Sequence, residues 1–280
     1  MSNWFELDRS RPIARLTLAQ PDAMNTLSLA KIRELRSVIE DLDHECGTRL
    51  LVLDSTGKHF SAGMQLEEFA AQPDLLDVAS ARGRLAFQSL VRELMACFAA
   101  LDRARFPVIA AIQGGCIGGA LDLVAACDLR VATDDAFFVI QEINLGLVAD
   151  LGTLQRLPKL IPPGVVREYA YTGRRMSARR GHELGLVNAV YPDAAAMRTG
   201  VDELAGEIAA KSPLAIAGTK LALNYARDHS VAESLDQMAV LQSAIFDPQE
   251  IAAAVAAMRS KQAPQYDDLP RGGAGSEQPR

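Results

Sequence analysis

Two carboxylates stand in an apolar stretch of the chain, "QEINLGLVAD", that contains no lysine or arginine. Glu142 and Asp150 lie near its two ends, and Ile143, Leu145 and Leu147 between them are candidates for an apolar wall. Apolar surroundings raise the pKa of a carboxyl group, so that it can hold a proton near neutral pH. Of two such acids, one can be ionised and act as a base while the other is protonated and acts as an acid. The stretch is therefore a candidate acid–base site.

Two glycine-containing turns, each directly after a predicted strand, are candidate sources of backbone hydrogen-bond donors. They are "KHFSAGMQL" (58–66) and "QGGCIGGALDL" (113–123), and the second leads into a predicted helix. Glycine lets the backbone approach a ligand, and a helix N-terminus favours negative charge. Neither turn matches a phosphate loop or a dinucleotide-binding pattern. Together they predict an oxyanion hole beside a third acid, Asp122. Each feature alone is also explained by an ordinary turn or, for Asp122, by an acid that satisfies a helix start.

The elements that must position these residues alternate between strands and helices. "IARLTLAQ" (13–20) alternates apolar and polar residues, which predicts a strand. "RLLVLDST" (49–56) and "PVIAAIQG" (107–114) are continuous apolar runs, which predict strands buried on both faces. Helices are predicted to begin at Ser28 and to cover about residues 85–101. This order favours an α/β fold with crossover connections.

From about Asp193 onward the sequence predicts helices only. Ser212 precedes a proline, "SVAE" (230–233) fits a capping box, and "DPQE" (247–250) combines an aspartate cap with a first-turn proline. We therefore expect residues 1–210 to form the α/β core and residues 211–262 a helical C-terminal region. The polar, Gly-rich end, residues 263–280, is predicted to be disordered.

Composition excludes some classes of function. The 280 residues, 49% of them apolar and 23% charged, suit one large domain or one domain with a helical appendage. A net charge of -6 disfavours nucleic-acid binding. The four cysteines form no C-x-x-C pair, which indicates structural thiols in a reducing compartment rather than a disulfide or metal site. Neither a targeting signal nor an apolar run of membrane-spanning length is visible. We expect a cytoplasmic protein that binds no membrane, nucleic acid or metal.

Three segments carry a family resemblance: "FSAG", "AIQGGCIGGALDLVAACDLRVATDDAFF" and "GTLQRLPKLI". With these in order, the chain resembles the crotonase (enoyl-CoA hydratase/isomerase) superfamily from about residue 10 to residue 260. The resemblance implies an α/β fold, a crotonase-like spiral of ββα repeats with a helical C-terminal region for trimerisation, and thus a homotrimer or homohexamer. It also implies an acyl-CoA thioester substrate whose enolate is stabilised. Coenzyme A is then part of the substrate, and no separate cofactor is expected.

The resemblance carries over to individual site residues. It assigns the oxyanion-hole N–H groups to Met64, after the "SAG", and to Gly119, in the "GG" pair. The two catalytic glutamates of a hydratase correspond to Asp122 and Glu142, so the first is an aspartate here. Asp150 stands where a typical hydratase has glycine. The three acids together are similar to the active site of the Δ3,5-Δ2,4-dienoyl-CoA isomerases, which implies catalytic roles for all three.

For that subfamily the implied reaction moves the double bonds of a 3,5-dienoyl-CoA to the 2,4 positions. A proton leaves C2 and another arrives at C6, with one acid near each carbon, while Asp122 holds or polarises the dienolate. The sequence does not assign C2 to Glu142 or to Asp150. Two alternatives stay open. One is an enoyl-CoA hydratase in which Asp122 and Glu142 activate water. The other is a non-catalytic acyl-CoA-binding subunit, because one fold hosts many functions.

The contacts to coenzyme A also follow from the resemblance. It places the adenine end near "DAMN" (22–25) and the "SAG" turn, so Ala23 and Ala62 are candidate contacts. Lys220 is a candidate for a phosphate, although a solvated helix lysine is the alternative. Gln65 replaces an aspartate of many relatives and Ala120 a third glycine, and neither change removes a candidate catalytic group. Candidates for the acyl pocket are Phe69, Leu75, Leu76 and Phe87.

Overall fold

The computed structural model describes residues 4–71 and 78–271, and the strands within them form two sheets. The strands are β1 (Phe5–Asp8), β2 (Ile13–Leu18), β3 (Leu50–Ser55), β4 (Val108–Ile112), β5 (Gly115–Ile117), β6 (Leu129–Thr133), β7 (Phe137–Val139), β8 (Met176–Ser177) and β9 (Ala189–Tyr191). The larger sheet has the order β1-β2-β3-β4-β6-β9 and the smaller has the order β5-β7-β8. Neighbouring strands are parallel except in the pairs β1–β2 and β7–β8.

Helices surround the sheets and continue to the C-terminal side. They are α1 (Leu29–Glu45), α2 (Leu66–Ala71), α3 (Ala81–Arg103), α4 (Gly119–Ala125), α5 (Thr153–Leu160), α6 (Pro163–Thr172), α7 (Ala178–Leu184), α8 (Ala194–Ala209), α9 (Pro213–Asp228), α10 (Val231–Ile245) and α11 (Pro248–Ser260). Ser28 caps α1 as predicted, with its side chain accepting from Lys31 N. Helix α3 begins at Ala81, earlier than predicted, because Ser80 caps it through Gly83 N.

The apolar runs of β3 and β4 are buried on both faces, as their sequences predict. Leu51 and Leu53 belong to the main core together with side chains of α1 and α3. Leu50 and Val52, which point to the opposite face, pack against α8 in a second apolar cluster. Alternation along a strand sends successive side chains to opposite faces, so both faces need a helix cover.

The path of the chain repeats a strand–strand–helix unit. β4 is followed by β5 of the other sheet and then by α4, and β6 is followed by β7 and a 3-10 turn at Glu142–Leu145. After β3, Ser61 forms a parallel bridge to Cys116 of β5 before the chain enters α2. This is the spiral of ββα units that the resemblance implied, so the predicted fold class is confirmed. The second strands of two such units, β5 and β7, are parallel neighbours, and the two glycine-containing turns (58–66 and 113–123) meet at the end of β5.

The C-terminal region is helical, and its predicted caps are confirmed. The side chain of Ser212 accepts from Ala215 N, Ser230 and Glu233 form a capping box, and Asp247 accepts from two N–H groups of α11. α9, α10 and α11 expose several large apolar side chains: Leu221, Leu223, Val231, Leu235, Val240, Ile251, Val255 and Met258. Trimerisation through this region stays a prediction.

The segment 263–271 lies against the core, in contrast to the disorder expected from its composition. Arg49 Nη2 donates to Tyr266 O (2.7 Å), and Arg105 Nη1 donates to Pro270 O (2.9 Å). Composition misses these bonds because their donors are far away in sequence. The rest of the predicted tail, 272–280, lies outside the described residues. The same holds for the pocket candidates Leu75 and Leu76 and for the side chain of Phe69.

All four cysteines are buried free thiols, in agreement with the structural role expected of them. Among the helices of the described residues, none has both the length and the apolar character required to cross a membrane. The same residues contain no group of three or more His, Cys, Asp or Glu placed to hold a metal ion.

Candidate active site

Two backbone N–H groups, those of Met64 and Gly119, lie next to each other where the glycine turns meet. Leu27 bonds to the residues on either side of Met64: Leu27 N donates to Gly63 O (2.8 Å), and Gln65 N donates to Leu27 O (2.9 Å). In such a parallel bridge the N–H of Met64 points away from Leu27. Gly119 begins α4, where a helix leaves its first N–H groups unpaired. Neither N–H donates a hydrogen bond within the described part of the chain, so both are available to a ligand oxygen.

Glycine is required at two positions of these turns by backbone conformation and by close approach. Gly63 has φ +84°, and a methyl group there would collide with Ile117 O and lie 3.0 Å from the N atom of Gly119. Gly118 has φ +54°, and its N–H donates to Val139 O (2.9 Å). Positive φ is strained for residues with a Cβ atom. The glycines therefore let the two donors come together, as the sequence predicts.

The "SAG" turn is tied to the loop around residue 24. Ser61 Oγ donates to Asn25 O (2.8 Å) and accepts from Gly63 N (3.1 Å), and Ala62 N donates to Met24 O (2.9 Å). Ala62 lines a cavity that Met64 and Gly119 also line, and Ala23 is exposed at the end of the 3-10 turn Pro21–Ala23. The structure thus brings the two candidate coenzyme A contacts close together at one side of the site.

Asp122 is the most deeply buried of the three acids. It lies in the first turn of α4 with a relative exposure of 1%. Its Oδ1 accepts a hydrogen bond from Thr153 N (2.6 Å), the first residue of α5. Burial raises the pKa of Asp122 to about 6, although the Thr153 hydrogen bond and the positive charge of Arg156 oppose the increase. Asp122 therefore joins the start of α4 to the start of α5, and its burial favours the protonated carboxyl group.

Glu142 begins the 3-10 turn and reaches the glycine turn. A methyl group at Gly118 would lie 3.2 Å from Glu142 Oε1, so this carboxylate lies directly beside the start of α4. Burial, and to a smaller extent the negative charges of Asp122 and Asp150, raise the pKa of Glu142 to about 7. Asn144, within the same turn, donates through Nδ2 to Gly173 O (3.0 Å) and thereby fixes the turn to the end of α6.

Asp150 belongs to the loop between the 3-10 turn and α5, and it is more exposed than the other two acids. Desolvation raises its pKa, and its charge raises the pKa of both Asp122 and Glu142. The carboxyl groups therefore influence one another electrostatically. Neighbouring negative charges disfavour full ionisation, so the three carboxyl groups raise one another's tendency to keep a proton.

All three acids line one largely apolar cavity of about 430 Å³, together with Met64, Gly118 and Gly119. The apolar lining comes mainly from α3 and from the loop before α5: Phe87, Leu90, Val91, Leu94, Leu145, Leu147, Val148 and Leu151. Of the predicted apolar wall, Leu145 and Leu147 are in place. Ile143 lines a neighbouring surface groove instead, because the 3-10 turn directs it to the other side.

Sequence reasoning missed most of the α3 contribution. Phe87 was a candidate, but Leu90, Val91 and Leu94 were not. Their spacing is that of one helical face, so the apolar periodicity of α3 was the available signal. The apolar periodicity does not distinguish a helix face that packs against the core from one that lines a cavity. Thr153 was missed as well, because a backbone donor leaves no trace in the residue type.

The candidate role of Lys220 at a phosphate is corrected by the structure. Its exposure is 7%, and its ammonium group donates to Leu101 O (2.7 Å), Phe106 O (2.9 Å) and Asp128 Oδ2 (2.7 Å). An ammonium group has three donor hydrogens, and all three are used. Lys220 therefore fastens α9 to the core and is not among the residues that line the cavity.

The family model described as enoyl-CoA hydratase/isomerase matches residues 8–269. The chain belongs to this family. It is 40% identical over 253 residues to the mitochondrial Δ3,5-Δ2,4-dienoyl-CoA isomerase of Rattus norvegicus, covering 89% of this chain and 77% of the relative. It is 37% identical over 259 residues to the peroxisomal Δ3,5-Δ2,4-dienoyl-CoA isomerase of Arabidopsis thaliana, covering 92% and 93%.

Solved structures of this family have the same fold. The crystal structure of an enoyl-CoA hydratase from Bacillus anthracis aligns with a TM-score of 0.83 at 30% identity, covering 95% of this chain and 99% of that one. As a member of the enoyl-CoA hydratase/isomerase family, the protein is an enzyme, and the family acts on acyl-CoA thioesters. The expectation of a cytoplasmic location stays a prediction, since the two relatives carry mitochondrial and peroxisomal names.

Proposed function

We propose that this member of the enoyl-CoA hydratase/isomerase family converts 3,5-dienoyl-CoA to 2,4-dienoyl-CoA. The observation that carries the proposal is the convergence of Asp122, Glu142 and Asp150 on one apolar cavity, beside two free backbone N–H groups. Hydration of an enoyl-CoA requires only the first two acids. The third acid and the similarity to proteins named Δ3,5-Δ2,4-dienoyl-CoA isomerases favour the isomerase.

The first step depends on the two N–H groups. The thioester oxygen accepts hydrogen bonds from Met64 N and Gly119 N, and removal of a proton from C2 then places negative charge on this oxygen. Because the donors are fixed in the backbone before the reaction, they stabilise the dienolate without reorganising. Loss of one such donor typically costs about 3 kcal/mol of transition-state stabilisation. The carboxylate base alone is too weak to form the dienolate.

The second step returns a proton at C6 and completes the double-bond shift. One of Glu142 and Asp150 is ionised and accepts the C2 proton, and the other is protonated and supplies the C6 proton. The raised pKa values of both groups allow this division near neutral pH. Asp122, held by the Thr153 N–H, polarises the extended dienolate. After each turnover the protonation states of the two outer acids are exchanged and must be restored through solvent.

The same proposal covers substrate binding and assembly. Coenzyme A enters as part of the substrate, near Ala23 and Ala62, and no separate cofactor takes part. Three or six copies of the chain assemble as a homotrimer or homohexamer, which the exposed apolar side chains of α9, α10 and α11 support. The protein acts in the cytoplasm.

The test is a spectrophotometric assay with 3,5-octadienoyl-CoA, run beside crotonyl-CoA. We expect the absorbance of the conjugated 2,4-dienoyl thioester to grow with the wild-type protein and to be lost in Glu142→Gln and Asp150→Asn. Glu207→Gln, on the exposed face of α8, is the matched control and is expected to retain full activity. Full isomerase activity in Asp150→Asn would show that the two-acid proposal is wrong. If the protein consumes crotonyl-CoA but does not isomerise 3,5-octadienoyl-CoA, and if Asp150→Asn leaves the rate of crotonyl-CoA consumption unchanged, the hydratase is favoured.

Solvent exchange assigns the two acids. In D2O, a variant without the C6 acid still exchanges hydrogen at C2 of the substrate but forms no product. A variant without the C2 base does neither. Measuring deuterium at C2 by mass spectrometry in Glu142→Gln and Asp150→Asn therefore identifies the residue that serves each carbon. Equal C2 exchange in both variants would contradict a separate base and acid.

A further inference from the structure

We propose that Arg156 is a positioning residue for the loop that carries Asp150 and that it is anchored through Asp102 to the C-terminal helix α9. The catalytic part of this inference rests on the proposed function, because it gives the loop its role in proton transfer. Arg156 lies on α5, one helical turn after Thr153. It does not line the cavity, so it acts on the reaction without touching the substrate, through the residues it holds and through its charge.

The guanidinium group of Arg156 lies directly against the backbone of this loop. Its Nη1 is 3.5 Å from Leu151 O, which belongs to the residue after Asp150. Gly152 has φ +131°, and a methyl group there would collide with Nη1. The absence of a side chain at position 152 therefore allows the contact, and the loop folds around the planar group. Arg156 N also donates to Gly152 O (2.9 Å), which starts α5 at this point.

The other side of the same guanidinium group is held by a carboxylate of α3. Arg156 Nε and Nη2 donate to Asp102 Oδ2 at 3.1 Å and 2.7 Å. The two side chains have exposures of only 15% and 17%, so solvent screens this pair less than a surface ion pair. A guanidinium group is a rigid fork of donors, and fixing it at Asp102 fixes the nitrogen that faces the loop.

Asp102 is itself held by the C-terminal region. Its Oδ1 accepts from Arg227 Nη1 (3.1 Å), and its backbone carbonyl accepts from Asn224 Nδ2 (2.9 Å); both donors belong to α9. A continuous set of contacts thus runs from α9 through Asp102 and Arg156 to the loop with Asp150. Removing Arg156 leaves Asp102 paired with Arg227, so that the carboxylate does not become an unpaired buried charge.

Arg156 also acts on the site by its charge. Its positive charge lowers the pKa of Asp122, in opposition to the effect of burial. Thr153, which donates to Asp122, starts the same helix. Arg156 therefore acts on the site both by its contact with the loop and by its positive charge, and the two effects can be measured separately. Loss of the charge shifts the pH profile, whereas loss of the contact to Leu151 O loosens the loop.

The test compares Arg156→Gln and Arg156→Lys with the control Arg179→Gln, which removes an exposed arginine of α7 that pairs with Asp134. For Arg156→Gln we expect faster amide exchange over residues 147–153. We also expect kcat to fall by about tenfold to a hundredfold, with KM nearly unchanged, because a displacement of about 1 Å is enough for such a loss. The acidic limb of its pH profile should move to higher pH. Arg156→Lys should retain the wild-type pH profile with a reduced kcat, because lysine keeps the charge without the fork.

The outcomes separate this inference from the proposed function. Unchanged amide exchange over 147–153 in Arg156→Gln overturns the positioning role, whatever the activity. A fall of kcat that only follows the folded fraction, with an unshifted pH profile, also overturns it. If the wild-type protein has no dienoyl-CoA isomerase activity, the proposed function fails, but the exchange measurement still decides the positioning role. If Arg156→Gln does not fold, the same exchange measurement on Arg156→Lys decides it.

Discussion

Replacing Glu142 with glutamine is expected to stabilise the folded protein at alkaline pH while removing its activity. The side chain keeps its size but can no longer ionise. In the folded protein, burial raises the pKa of Glu142 from 4.5 to about 7. A group whose pKa is higher in the folded state binds its proton more tightly there. The folded state therefore loses stability as pH rises from about 4.5 to about 7, and the loss is complete above that range.

The magnitude follows from the two pKa values. Each pKa unit corresponds to about 1.36 kcal/mol, so the difference between 4.5 and about 7 gives an upper bound of about 3 kcal/mol. Glu142 lines an open cavity, and solvent screening reduces this bound to about 1–2 kcal/mol. Glutamine avoids this loss. The variant should therefore exceed the wild type in free energy of unfolding by this amount near pH 8.5, and by much less near pH 5.

The assay is urea unfolding of both proteins at the two pH values and at one protein concentration, since assembly makes stability depend on concentration. Glu207→Gln makes the same chemical change on the exposed face of α8 and should leave the difference between the two pH values as in the wild type. The contrary result would be a Glu142→Gln variant that gains no more stability near pH 8.5 than near pH 5. In that case desolvation of the carboxylate is not what raises its pKa.

Three further changes test other parts of the structure. Gly63→Ala should reduce kcat by about a hundredfold or more, because the methyl group displaces the oxyanion donors. The control Gly164→Ala, which has open space around it, should retain activity, and equal kcat values in the two variants would contradict the assigned donors. Lys220→Met should lower the free energy of unfolding by about 3 kcal/mol in urea titrations and leave KM for acyl-CoA unchanged. A raised KM would instead indicate that Lys220 binds a phosphate of the substrate. Asn144→Ala should reduce kcat by about tenfold in steady-state assays, because the turn that carries Glu142 loses its hydrogen bond to Gly173 O. An unchanged kcat would mean that the turn keeps its position without this bond.

Much of the fold was predictable because its signals are local. Ser28, Ser212 and Ser230 cap helices through N–H groups three residues ahead, so each cap depends on only a few neighbouring residues. The strands β3 and β4 were visible as apolar runs for the same reason. The beginning of α3 was misplaced, because a serine cap outside the apolar periodicity defines it.

The candidate site was predictable in part. The glycines and the three acids were visible by type and spacing, and the structure brings Asp122, Glu142 and Asp150 to one cavity. Lys220 was misjudged, because its three acceptors come from α3, the turn after it and α4's C-terminal side, none of them near it in sequence. Residue type alone does not distinguish a buried, fully paired ammonium group from a solvated one.

The identities of the acids, the glycines that permit close approach and the local starts of the helices can all be read from the amino-acid sequence. The folded chain, in contrast, establishes which carboxyl groups are desolvated, which face of α3 lines the cavity and how Arg156 is held between Asp102 and the loop. The physical reason is that hydrogen bonds within a helix turn involve neighbours in sequence. Burial and charge–charge interactions depend instead on residues that the fold brings together from distant parts of the chain.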